Sequence, residues 1–418
     1  MSRLQRGGVS LVLACAGLLA GCDPFTGPAR APARIEALPR ALTVSEREVI
    51  ARSNSFAFEL LREVYQRASG PNVFLSPLSA SMALGMTLNG AATATFDSLR
   101  ATLGFEGLTQ DQINRSYHDL ADLLLKLDPK VELGIANSTW ARQGEPFLPS
   151  FFDAVRTWFH ADARELNFAS PAALATINGW AAEQTHDRVP KVLDRIDPNH
   201  ILFLLNAVYF KGQWTAQFDV AKTTSSPFRL TSGATVPVPT MHGKLRAAVV
   251  RRPGAILGEL PYGGQAFVLT IVVPEEGRSL KDLVAGLNAE TWAEWTAALP
   301  VGDYAQVEAV DVALPKLELK YEEKLNDALT AMGMGIAFRP GADFSRMTPG
   351  GGIWIDFVKQ NTFLKLDEQG TEAAAVTVVA MIKSAAPPSL IVDRPFLLAI
   401  RERLSGTVLF LGAIGDPR

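Results

Sequence analysis

Side chains able to do covalent or metal chemistry are sparse in this 418-residue chain. Five histidines occur, at His118, His160, His186, His200 and His242, and two cysteines, Cys15 and Cys22. None of the histidines lies in an HExxH pattern, and neither a G-x-S-x-G elbow nor a phosphate-binding G-x-x-x-x-G-K-[ST] loop occurs. With both cysteines near the N-terminus, the body offers no thiolate nucleophile, no disulfide and no readable metal-ligand cluster. A serine triad assembles from distant positions, so the empty search tells against hydrolysis without forbidding it. The expectation is a protein that is not an enzyme and holds no metal or cofactor.

The segment running from Asp367 to Pro388 stands out instead. Between Glu372 and Lys383 it carries no charge, no glycine and no proline. Its first half is alanine, which favours helix, and its second half is β-branched, which favours strand. As a strand, Thr371, Ala373, Ala375, Thr377, Val379 and Met381 share one face of mostly small side chains. Left exposed, such a run invites edge pairing and aggregation. It is either an ordinary buried strand or a segment held out for a purpose.

The flanks decide between these. Glu368-Gln369-Gly370-Thr371-Glu372-Ala373-Ala374-Ala375, with Pro387-Pro388 and Asp393-Arg394-Pro395-Phe396 downstream, resembles the reactive-centre loop of the serpins, a family of protease inhibitors. The resemblance recurs. Asn72-Val73-Phe74-Leu75-Ser76-Pro77-Leu78-Ser79 is similar to the serpin shutter, and the run 201–214 matches the strand carrying the shutter Asn206 and the breach Trp214. Leu314-Pro315-Lys316 and Ala342-Asp343-Phe344-Ser345 resemble further family markers.

This resemblance implies an α+β fold: one domain over 43–418, three β-sheets surrounded by about eight or nine helices, and an exposed loop. It implies a suicide-substrate inhibitor, cut in the loop and trapping the acyl-enzyme as the freed segment enters the central sheet. Loop insertion by serpins is itself a standard example of a structural switch. The hinge would be Gly370, Thr371, Glu372, Ala373, Ala374 and Ala375, all but one small or uncharged. Family register puts the reactive bond at Ser384-Ala385, suiting an elastase- or subtilisin-like protease. A shift of one residue gives Lys383-Ser384 and a trypsin-like one. The shutter cluster would be Ser76, Ser79, Asn206 and Gln360. Gln360 stands where many serpins place a histidine, so titration near neutral pH is not expected there. The alternative is a serpin-fold protein that only binds a ligand or partner.

The elements that must position these residues are legible. Thr43 and Glu46 form a capping box opening a helix to about residue 68. Ser76 and Pro77 suit the cap and first turn of a second helix. Helices are expected over 96–103, 111–127, 149–160, 172–185, 280–287, 291–298 and 325–334. Strands are expected over 130–140, 201–214, 228–273 and 307–320, with a terminal pair over 396–401 and 407–412. The strand over 201–214 is apolar on both faces, as a doubly covered central strand is.

At the N-terminus, residues 1–21 read as an export signal, with Arg3 and Arg6 before an apolar stretch too short to span a bilayer comfortably. Leu19-Ala20-Gly21-Cys22 resembles the bacterial lipoprotein cleavage box, which implies lipidation at Cys22 and a membrane anchor. Residues 22–42, with four prolines, read as a tether. Net charge is −3, from 40 basic and 43 acidic residues, which gives no reason to propose a nucleic-acid partner. The expected state is an exported, lipid-anchored or extracellular monomer whose partner is a target protease.

Overall fold

The computed structural model describes residues 34–197, 199–300, 304, 306–370 and 389–418. The chain enters through α1 (Val44–Arg67), and its capping box forms: Thr43 Oγ1 accepts from the Glu46 N–H at 3.1 Å, and Glu46 accepts from the Thr43 N–H at 2.7 Å. There follow β1 (Asn72–Leu75), α2 (Pro77–Leu88), α3 (Thr93–Thr102), α4 (Gln110–Leu127), β2 (Val131–Arg142), α5 (Pro149–Phe159), β3 (Asp162–Leu166), α6 (Pro171–Gln184) and β4 (Leu202–Gly212). The strand-rich middle supplies β5 (Thr224–Arg229), β6 (Thr235–Arg246), β7 (Ala248–Arg252), β8 (Ala255–Pro261) and β9 (Phe267–Pro274). After α7 (Leu280–Gly286) and α8 (Ala289–Ala297) come β10 (Ala309–Pro315), β11 (Leu317–Lys324), α9 (Asn326–Leu329) and β12 (Lys359–Leu366). The chain ends in β13 (Leu390–Ile391), β14 (Phe396–Glu402) and β15 (Val408–Ile414).

The described residues form an α+β fold with nine α-helices and four hydrogen-bonded sheets. A six-stranded sheet, β1-β15-β14-β9-β8-β7, holds the deepest core: every residue of β9, β14 and β15 is buried, mostly apolar side chains together with Thr270, Arg401 and Glu402. A four-stranded sheet runs β13-β10-β6-β5. The remaining two are β3-β2-β4 and β11-β12, bridged at one end through Gly370, so the expected third sheet is present in two parts.

The helix expected over 325–334 opens as α9 and continues as a π-helical turn over Thr330–Met334, inside which Gly333 at φ +108° breaks the regular path. One local expectation fails. Ser76 stands at the N-cap of α2, but its side chain makes no capping bond; Pro77 at N1 removes one of the helix-end donors a cap would serve. Among the described residues, no helix is long and apolar enough to cross a membrane.

The helices beneath the divided sheet are pinned by a buried hydroxyl chain. Tyr117 of α4 bonds Ser81 of α2, and Ser81 meets Ser53 of α1 at 3.3 Å. Burial pushes the Tyr117 phenol up to about 12, so it stays neutral.

Candidate functional site: a divided sheet and the turn at its head

β4 and β12 face each other without pairing. Among the described residues, β4 ladders only with β2, and β12 only with β11. β12 alternates cleanly, burying Gln360, Thr362, Leu364 and Leu366. β4 packs apolar side chains on both faces. Phe203, Leu205 and Ala207 meet the cluster around Trp140, Ile177 and Trp180, while Leu202, Leu204 and Val208 meet the main core. Residues 204–208 nevertheless remain half-buried, short of the doubly covered strand the sequence suggests. One long edge lacks a described neighbour, and the side chains along it are less covered.

At the head of this lane the chain reverses. Asp367 and Gly370 exchange both backbone bonds, at 3.0 and 3.2 Å, around the two-residue turn Glu368-Gln369. Gly370 also bridges Gln213, just beyond β4, in the antiparallel sense. A single residue is thus paired with the ends of both facing strands. It must be glycine: φ is +120°, and a Cβ there would lie 2.3 Å from the Gly212 carbonyl oxygen and 2.6 Å from the Trp214 nitrogen.

The turn is gripped from three sides. Trp214, 3% exposed, stacks on Tyr262 at 4.5 Å. Its amide donates to the Gln369 carbonyl at 3.0 Å and its indole Nε1 to the Asp367 carbonyl at 2.9 Å. The Phe218 amide donates to the Glu368 carbonyl at 2.9 Å. The Glu368 carboxylate, itself buried, accepts from Lys316 Nζ at 2.8 and 3.0 Å and from Thr223 Oγ1 at 2.7 Å. Burial works to raise its pKa, but Lys316 and Thr223 outweigh burial and hold it below the ordinary 4.5. The pair was not legible in sequence, because Lys316 and Glu368 come together only when β10 and β12 are placed.

Halfway along the lane lies a second cluster. The Ser76 amide donates to Gln360 Oε1 at 2.9 Å, and Gln360 Nε2 returns a bond to the Ser76 carbonyl at 2.7 Å. Ser76 Oγ donates to the Leu409 carbonyl at 2.9 Å. Ser79 Oγ donates to the Asn206 carbonyl at 3.3 Å. The start of α2 therefore holds β12 through Ser76 and β4 through Ser79. Asn206 Nδ2 turns away to Asn137 Oδ1 at 2.6 Å, and Asn137 Nδ2 donates to the Phe159 carbonyl at 2.7 Å. Asn137 and Thr362, whose hydroxyl donates to the Phe74 carbonyl at 2.7 Å, belong to this cluster too. Asn137 has no distinguishing signal in sequence, since it sits among the polar residues Ser138 and Thr139 of a mixed strand.

Past the lane, the chain resumes at Ser389, and Leu390 of β13, fully buried, pairs in parallel with Val312 of β10. Thr371, Glu372, Ala373, Ala374, Ala375, Lys383, Ser384, Ala385 and Cys22 lie outside the described residues.

Among the described residues, one group of ligand-type side chains assembles that the motif search does not register. His118, Asp122 and His160 meet, their ligand atoms all within 4.8 Å of one another. Tertiary folding assembles them from α4 and the end of α5, where no contiguous motif signals it. The remaining histidines have other partners: His186 faces Glu132, His200 faces Asp356 and His242 faces Ser226.

This architecture can be compared with known proteins. A family profile described as Serpin (serine protease inhibitor) matches residues 51–417. The chain belongs to the serpin family. Among its relatives, Serpin B6 of Macaca fascicularis is 32% identical over 381 residues, covering 88% of this chain and 100% of the relative. The leukocyte elastase inhibitor of Bos taurus is 30% identical over 382 residues, with the same coverage. The crystal structure of the thermophilic serpin tengpin in its native state aligns with a TM-score of 0.79 at 26% identity, covering 91% of this chain and 97% of that one. The thyroxine-binding globulin complex with thyroxine aligns at 0.79 and 29% identity, covering 88% and 99%. Serpin folds thus occur in proteins named as inhibitors and in one named as a hormone binder.

Two outcomes follow from this geometry. Gly370→Ala forces a strained backbone and a backbone clash, at a cost of about 1–3 kcal/mol to this turn. Hydrogen exchange at the Trp214 and Phe218 amides accelerates; unchanged protection there contradicts the turn's need for glycine. Glu368→Gln removes the charge Lys316 meets and lowers stability by about 1 kcal/mol, since the lysine is partly solvated. Because the folded-state pKa of Glu368 is depressed, its contribution is complete above 4.5 and lost as pH falls through the folded-state value. Urea titrations of wild type and variant therefore differ at pH 7 and converge towards pH 3.

Proposed function

We propose that this serpin is a suicide-substrate inhibitor of serine proteases. The observation that carries the reading is Gly370, paired antiparallel with both Gln213 and Asp367 at the head of two strands that do not pair with each other. A strand inserted after that residue would run antiparallel to both edges and complete both ladders. The face Thr371, Ala373, Ala375, Thr377, Val379 and Met381 is small enough to enter.

The protease serine attacks the carbonyl of Ser384, the peptide bond to Ala385 breaks, and the amine of Ala385 leaves while an ester holds the enzyme. The freed segment then moves into the lane before water hydrolyses the ester. The driving force is new ladder bonding together with burial worth up to ~1.5–3 kcal/mol for each larger side chain. The uncut protein is then a kinetically trapped state. Cleavage at Lys383-Ser384, with a trypsin-like target, is the competing register. Relatives named as inhibitors support the class of activity. Lipidation at Cys22 would hold this body, as a monomer, at a membrane surface; the apolar stretch and small residues before Cys22 support that part.

The likeness to thyroxine-binding globulin supports a second reading, a carrier that keeps the fold without trapping proteases. Incubation with elastase-, subtilisin- and trypsin-like enzymes separates the two. An inhibitor gives a one-to-one complex that survives SDS and releases a C-terminal peptide beginning at Ala385. A carrier gives only clipped chain. In the inhibitor, Thr371→Arg places a bulky charge where insertion starts and turns inhibition into plain cleavage, with complex yield falling by about tenfold or more. A stable complex formed as fully by that variant would refute the hinge assignment.

A further inference from the structure

The structure assigns a second site, distinct from the turn at Gly370: we infer that His118, Asp122 and His160 bind one divalent transition-metal ion of the zinc class. His118 and Asp122 are one turn apart on α4 and share a face. His160 is brought to them by the end of α5, where it forms the C-cap in the left-handed region, at φ 50° and ψ 32°. The two imidazole rings lie 4.6 Å apart between centroids, and His160 Nε2 is 3.5 Å from Asp122 Oδ1.

The donor chemistry is selective. Two imidazoles and one carboxylate suit zinc, cobalt, nickel or copper ions, whereas calcium and magnesium take oxygen shells. Three protein ligands leave one position for water. Nδ1 of His118 is buried and has no hydrogen-bond partner among the described residues, which leaves a donor atom in want of an acceptor or an ion. Lys126 Nζ donates to Asp122 Oδ2 at 2.7 Å, so it orients the carboxylate and leaves Oδ1 facing His160. Tetrahedral ligation at about 2.0–2.1 Å requires donors ~3.3 Å apart. The ligand atoms here lie within 4.8 Å of one another, so ligation requires the exposed His160 side chain to swing inwards.

The position gives the ion leverage on the fold. It ties α4 to the junction between α5 and β3, and His160 directly follows Phe159, whose carbonyl ends the chain of bonds through Asn137 to Asn206. Ligation therefore stabilises the folded chain by mass action and braces that junction.

The test is a calorimetric titration of zinc(II) chloride into the untagged full chain, with cobalt(II) absorption as a second probe that distinguishes nitrogen and oxygen donors from the thiolates of Cys15 and Cys22. One ion per chain is expected at micromolar zinc, and the thermal midpoint rises on loading. His118→Gln and His160→Gln each weaken binding by at least about tenfold. His242→Gln, on β6, leaves it unchanged. His160 is exposed, so its variant keeps the wild-type melting temperature in EDTA even if replacing His118 disturbs packing. Zinc binding that needs millimolar ion, or that both ligand variants retain, overturns the assignment.

Discussion

Two facing strand edges that do not satisfy each other are the constraint on which the rest of the structure depends. Backbone N–H and C=O groups require partners, and a largely apolar edge such as that of β4, which lacks a neighbour among the described residues, invites an added strand. The protein keeps two such edges parallel to one layer and seats Gly370 at their common end, bonded to both. That seat excludes every side chain by backbone contact, and the aromatic stack of Trp214 on Tyr262 fixes the floor on which it rests.

Both edges are tied to one helix start. α2 begins directly under the lane and reaches one strand with Ser76 and the other with Ser79. Replacing the expected cap with a bond to the Leu409 carbonyl frees Ser76 to serve the sheet, at the expense of the helix end. The amide at Gln360 donates and accepts at once, which a neutral imidazole also does, yet it carries no charge change near neutral pH. If the lane opens as proposed, opening at this point would rest on packing and bond exchange; the ion pair of Lys316 with Glu368 stands at the turn.

Much of this was legible in the residues, for definable reasons. The capping box at Thr43 and Glu46 is local chemistry, so α1 begins where it is read. The double-sided apolar run over 201–214 specifies a central strand, but not that its second edge lacks a described neighbour; edge pairing is a tertiary fact with no local signature. Ser76, Ser79, Asn206, Gln360 and Trp214 were identified through family resemblance, and the geometry then adds Asn137, Thr223, Lys316 and Thr362, whose roles exist only across distant elements. The same limit explains why His118, Asp122 and His160 read as scattered residues: spacing along the chain is silent about a helix end folding onto a neighbouring helix.

The central claim is that the uncut chain is held short of its most stable arrangement. The most direct measurement is the thermal midpoint before and after a single cut at Ser384-Ala385, with strand content followed by infrared or circular dichroism. A large rise in the midpoint, accompanied by added strand signal, is the predicted result. An unchanged or lower midpoint with no gain in strand would contradict the account.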